Sequence, residues 1–106
     1  MVYTITQLKE RIIPVAIKYQ LKAVYIFGSY AKGEATEDSD VDILIDRTGS
    51  IVQGWIIGGL YNDLLECIGK NVDVITTHAL MQDGTNDRIP WFTNNVMNER
   101  IQIYGQ

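Results

Sequence analysis

Three short runs rich in β-branched and aromatic residues, Ala23–Phe27, Val41–Ile45 and Val72–Thr76, alternate with segments whose apolar residues recur at helical spacing. The first two have the near-continuous apolar character of strands buried on both faces. Leu8, Ile12, Val15, Ala16 and Tyr19 define a helix from about Thr6 to Tyr19. Thr4 and Gln7 are placed to form its capping box, and Pro14 predicts a kink. Ile56, Leu60, Leu64, Leu65 and Ile68 predict a crossover helix over Ile51–Ile68, with Gly69 at its C′ position. A last helix is expected from Asp87 to about Asn98, followed by a short, half-exposed strand over Ile101–Tyr104. Helices interleaved with buried strands predict an α/β fold, a small mixed sheet flanked by helices.

With 106 residues and no repeat, linker or low-complexity tract, the chain is expected to form a single domain over residues 1–106. Thirteen Asp and Glu against nine Lys and Arg give a net charge of −4, which argues against long nucleic acid as a partner. Cys67 is the single cysteine, so neither an intrachain disulfide nor a thiolate zinc site is available. No secretion signal is evident, and the most apolar stretch, Ile51–Leu60, is interrupted by Gln53, Gly54, Gly58 and Gly59. A cytoplasmic protein without membrane contact is the expectation. The apolar excess of that stretch fits either a buried helix or a face between copies of the chain.

The chemistry is concentrated in Gly28–Asp42. Gly28 and Gly33 have P-loop spacing, but Glu34 and Ala35 stand where Lys and Ser or Thr are required. Asp38, Asp40 and Asp42 begin like a calcium loop, yet Ile43 and Gly49 occupy the positions of its glycine and its bidentate Glu. Tyr30 interrupts the dinucleotide fingerprint. What survives is Gly28-Ser29, ten residues, then Asp40-x-Asp42, each half attached to a strand. Alternation along a strand sends Asp40 and Asp42 to one side, about 7 Å apart at Cα, suited to a hard cation such as Mg²⁺. Gly28 permits close backbone approach to an anion, and the Ser29 hydroxyl adds a donor for phosphate oxygens. A nucleoside triphosphate with magnesium fits between the two halves. Two-metal transfer calls for a third carboxylate, and Asp73 on the third strand is the candidate.

This pattern, with Val72-Asp73-Val74 after a helix, the Val24–Ala31 and Gly33–Asp40 blocks and the closing Ile103-Tyr104, resembles the minimal nucleotidyltransferase (MNT) domains of the DNA polymerase β superfamily. The resemblance spans nearly the whole chain and implies a polymerase-β-like fold. It implies that Asp40 and Asp42 bind two Mg²⁺ ions, that Asp73 binds the catalytic one, and that Gly28 and Ser29 hold the triphosphate. Lys32 stands where these domains commonly have Arg, so it keeps the charge but loses the bidentate fork. Stand-alone MNT proteins resemble the antitoxin half of HEPN–MNT toxin–antitoxin modules. There the MNT subunit transfers AMP from ATP to a tyrosine of the HEPN ribonuclease. That is the function the resemblance implies. The alternatives are a subunit that neutralises its HEPN partner by binding alone, and a small-molecule nucleotidyltransferase.

Each residue also has a plainer role. Asp73 would serve as an edge-strand charge against aggregation. Ser29 would cap its own turn; Ser39, like Lys32 a nucleotide-binding candidate, would in its plainer role bond the backbone of its own turn. Lys32 would be a solvated loop lysine. His78 has no partner at ligand spacing and reads as a helix-entry residue. Cys67 reads as a small buried side chain, and Trp55, Trp91 and Phe92 as core or as anchors for a protein partner.

Overall fold

A computed structural model describes residues 2–50, 56–77 and 98–105. The elements, in chain order, are α1 (Ile5–Lys18), β1 (Ala23–Phe27), α2 (Gly28–Lys32), β2 (Val41–Asp46), α3 (Ile56–Ile68), β3 (Val72–Thr76) and β4 (Ile101–Gly105). The strands form one sheet in the order β3-β2-β1-β4. β1 is antiparallel to both β2 and β4, while β2 and β3 are parallel. Parallel neighbours need a crossover connection, and α3 supplies it.

α1 starts where its sequence says it should. The Thr4 hydroxyl accepts the Gln7 N–H at 3.1 Å, and the Gln7 side-chain oxygen accepts the Thr4 N–H at 2.9 Å, so both halves of the capping box are made. The helix runs on through Pro14. Pro14 and Glu10, whose carbonyl loses its intrahelical donor there, are both exposed, so water can take that bond. Gly69 follows α3 with φ +73 and donates its N–H to the Leu65 carbonyl, as the expected C′ glycine does.

β1 and β3 match their expected bounds, and β2 and β4 each extend one residue further. The expected start of the crossover helix at Ile51 lies outside the described residues. So do Trp55, His78, Trp91, Phe92 and the expected helix from Asp87 up to position 97.

One sheet face is the main core. Leu8, Ile12 and Ala16 of α1 and Leu60, Leu64 and Ile68 of α3 pack on Val24, Ile26, Val41, Ile43, Ile45 and Ile103. Burying an aliphatic side chain of this size contributes roughly 1.5–3 kcal/mol, so this layer holds the helices to the sheet. The opposite face carries a smaller cluster, Phe27 and Leu44 with Tyr25 and Ile75 against them. Because Leu44 is also fully buried, β2 is apolar on both sides, which is why Val41–Ile45 lacks a polar–apolar alternation beyond Asp42. Asp42 and Asp73 project on this second face, away from the two long helices.

Candidate active site

The strand register assembles the acidic residues. Asp42 on β2 is directly paired with Asp73 on β3. Residues directly opposite each other in a sheet share a face, so the two carboxylates stand side by side. Asp40 precedes β2 by one residue; the period of two sends it the same way as Asp42. Asp40 and Asp73 are exposed and Asp42 is half-buried. Burial, reinforced by the negative charges of Asp73 and Asp40, pushes the Asp42 carboxyl up to about 6. Both neighbouring acids therefore act electrostatically on Asp42. Among the described residues no three acidic, histidine or cysteine side chains are grouped closely enough to hold a metal ion. The donor set of three carboxylates suits a hard divalent cation such as Mg²⁺.

The phosphate half of the motif lies against this group. Antiparallel pairing puts Phe27, the last residue of β1, opposite Asp42. Gly28 therefore emerges beside the Asp42 carboxylate: a Cβ on Gly28 would sit 2.1 Å from Asp42 Oδ2, and φ there is +70. Only glycine allows both this approach and this backbone conformation. Ser29 is half-buried in α2, a five-residue turn of helix closed by Gly33 with φ +73. The Ser29 carbonyl is occupied, accepting the Glu34 N–H at 2.9 Å. The turn, the half-buried acid and its two charged neighbours thus meet at one end of the sheet.

Lys32 and Ser39 are already engaged elsewhere. Lys32 Nζ lies 3.4 Å from Glu99 Oε2, an exposed pair just ahead of β4. Ser39 Oγ accepts the Thr36 N–H at 2.9 Å, and the Ser39 N–H donates to the Thr36 carbonyl at 3.0 Å. These bonds fit the turn role, closing the loop that delivers Asp40. Asp73 stands on β3, which among the described residues is at the edge of the sheet, as the plainer reading has it.

Two features escaped the sequence. Glu99 gave no sign of reaching Lys32. Lys70, in the short connection before β3, donates to the Tyr30 hydroxyl at 2.9 Å and to the Glu37 carbonyl at 3.2 Å. Both partners are more than 30 positions away in the chain, beyond any local pattern. Cys67, expected to be buried, is half-buried, its thiol donating to the Leu64 carbonyl at 3.4 Å. No described helix is long and apolar enough to cross a membrane.

Comparison with known proteins gives a consistent picture. Residues 10–106 match the family model described as Polymerase beta, Nucleotidyltransferase. A Methanocaldococcus jannaschii chain provisionally named a protein adenylyltransferase is 33% identical over 93% of this chain and 97% of its own length. A solved structure provisionally described as a minimal nucleotidyltransferase superposes with a TM-score of 0.62 at 25% identity, covering 93% of this chain and 95% of that one. The structure of a tri-AMPylated Shewanella oneidensis HEPN toxin in complex with MNT antitoxin contains a chain of the same fold. Its TM-score is 0.62 at 18% identity, over 97% of this chain and 74% of that one.

Proposed function

Since the chain belongs to the polymerase beta nucleotidyltransferase family and is itself a nucleotidyltransferase, we propose that it moves AMP from ATP onto a tyrosine hydroxyl of a HEPN-family ribonuclease, acting as that partner's antitoxin. The observation that carries this reading is the half-buried Asp42, its carboxyl raised by burial and by Asp73 and Asp40, with its Oδ2 filling the space that a Cβ on Gly28 of the Gly28-Ser29 turn would need. Burying an acid among acids is costly without a counter-charge, so the arrangement makes sense as a cation site beside a polyphosphate site. The adenylyltransferase name of a relative supports AMP as the transferred group. The AMPylated HEPN toxin beside an MNT antitoxin, in a structure of the same fold, supports the acceptor.

In this reading Asp40 and Asp42 would hold two Mg²⁺ ions, with Asp73 sharing the catalytic one; metal bound there would supply positive charge against the triphosphate and the ionising acceptor hydroxyl. Gly28 lets the backbone approach the phosphates, and the Ser29 hydroxyl donates to a phosphate oxygen. Lys32 contributes its charge to the phosphates once released from Glu99, and Ser39 keeps the Asp40 loop in shape. Asp73, exposed at the sheet edge, orients the incoming tyrosine oxygen. The tyrosine hydroxyl releases its proton to solvent as its oxygen forms a bond to the α-phosphorus, the bond from that phosphorus to the bridging oxygen breaks, and pyrophosphate leaves with its electron pair.

The test is incubation of the chain with α-labelled ATP, Mg²⁺ and a HEPN protein. Label on a partner tyrosine, lost when Asp40 and Asp42 are changed to Asn, is the expected result. Tight binding of the partner without label replaces this reading with neutralisation by contact. Label retained by the double variant refutes the assignment of the two aspartates.

A further inference from the structure

The connection between α3 and β3 touches each of the other two segments that build the site. The Val41 N–H, at the start of β2, donates to the Asn71 carbonyl at 3.0 Å. Next to it, the Lys70 ammonium donates to the Tyr30 hydroxyl at 2.9 Å and the Glu37 carbonyl at 3.2 Å. Tyr30 adjoins Ser29 in α2, and its ring is 5% exposed and packed in the main core. Glu37 is three residues ahead of Asp40, in the loop whose turn Ser39 closes. Lys70 itself is three residues ahead of Asp73.

A single side chain thus joins the phosphate turn, the loop bearing Asp40 and the strand bearing Asp73. An ammonium has three donors and can hold two oxygens at once, and charge-assisted bonds are stronger than neutral ones. α2 is only five residues long, too short to hold its own orientation by helical hydrogen bonding. Its anchors include the Tyr30 ring in the core, Ala31 packed against that core, and the Lys70 ammonium that grips the Tyr30 hydroxyl.

We propose that Lys70 is a positioning residue of the transfer reaction, tying the Gly28-Ser29 turn and the Asp40 loop to the strand that carries Asp73. The inference rests on the reading of this site as a nucleotidyltransferase centre. It makes Lys70 act through alignment, without contact to nucleotide or acceptor.

The test pairs hydrogen–deuterium exchange with transfer kinetics on wild type, Lys70→Met, Lys70→Arg and Tyr30→Phe. In Lys70→Met the amides of residues 29–32 and 36–40 should exchange faster while those of α1 and β1 stay as in wild type. Its kcat should fall by about tenfold or more, with a smaller change in the KM for ATP, because misalignment acts mainly on the reacting geometry. Lys70→Arg should restore part of both. Tyr30→Phe removes one oxygen only, and should loosen residues 29–32 alone; it decides the matter if Lys70→Met does not fold. Unchanged exchange in these segments, faster exchange throughout the core, or a wild-type kcat in Lys70→Met overturns the proposal. A wild type that transfers no AMP refutes the transferase reading instead, and the exchange pattern still reports whether Lys70 holds the segments together.

Discussion

Replacing Gly28 or Gly33 with alanine adds the same methyl group to nearly the same backbone, φ +70 at one and +73 at the other. A left-handed conformation costs an L-residue roughly 1–2 kcal/mol, so both variants should lose about that much stability. For a domain of this size each kcal/mol lowers Tm by roughly 4–8 °C. The surroundings of the two methyl groups differ completely. Nothing lies within 4 Å of a Cβ at Gly33, whereas one at Gly28 would be 2.1 Å from Asp42 Oδ2. Relieving that overlap moves the carboxylate by about 1 Å, and a displacement of that size at reacting groups lowers rate on the order of 100-fold. Urea unfolding followed by circular dichroism should therefore give similar losses for the two variants. Initial rates of label transfer from α-labelled ATP should separate them by about two orders of magnitude. Equal activity in the two variants, or full activity in Gly28→Ala, would refute the claim that the turn and the acidic group share one site.

Other consequences can be measured on the same preparation. Burial and the neighbouring Asp73 and Asp40 charges raise the Asp42 carboxyl from 3.8 to about 6, so in metal-free buffer its contribution to stability is full at or below pH 4 and declines as pH rises to about 6. Asp46 and Asp63, held below the usual carboxylate range, act in the opposite sense, so the Asp42 part is read as the difference between wild type and Asp42→Asn. Allowing for solvent screening that part is about 1 kcal/mol; Asp42→Asn should remove it, and a profile that is unchanged in this variant assigns the effect elsewhere. Thr4→Ala removes one half of the α1 capping box and should lower stability by about 1 kcal/mol with transfer rates unaffected. Glu99→Gln frees Lys32 from its acidic neighbour and should lower the KM for ATP; an unchanged KM removes Lys32 from the phosphate site.

Much of this architecture was written in local sequence. The bounds of β1 and β3 coincide with apolar runs, because buried strands need them and glycine or polar residues end them. The Thr4–Gln7 box was readable because both partners lie within one helical turn. The shared orientation of Asp40 and Asp42 follows from a period of two and needs no knowledge of neighbours. The turn bond of Ser39 was legible as one of its two readings, its partner Thr36 being three residues away. Asp73 could be named as a candidate from the chemistry of two-metal transfer and from family resemblance, but nothing in its own neighbourhood distinguishes it from an edge-strand charge.

Chain order and periodicity by themselves determined that this is a small α/β domain with a Gly-Ser turn, an acidic pair and a third acid on separate strands, since these patterns arise from interactions within a few residues. Tertiary structure alone decided that Phe27 pairs with Asp42 and Asp42 with Asp73, which brings Gly28 against a carboxylate whose pKa is then raised. It likewise decided that Lys70 reaches Tyr30 and Glu37, and Lys32 reaches Glu99. Strand register and the reach of long side chains depend on how the helices and sheet pack together, and no local pattern encodes that distance.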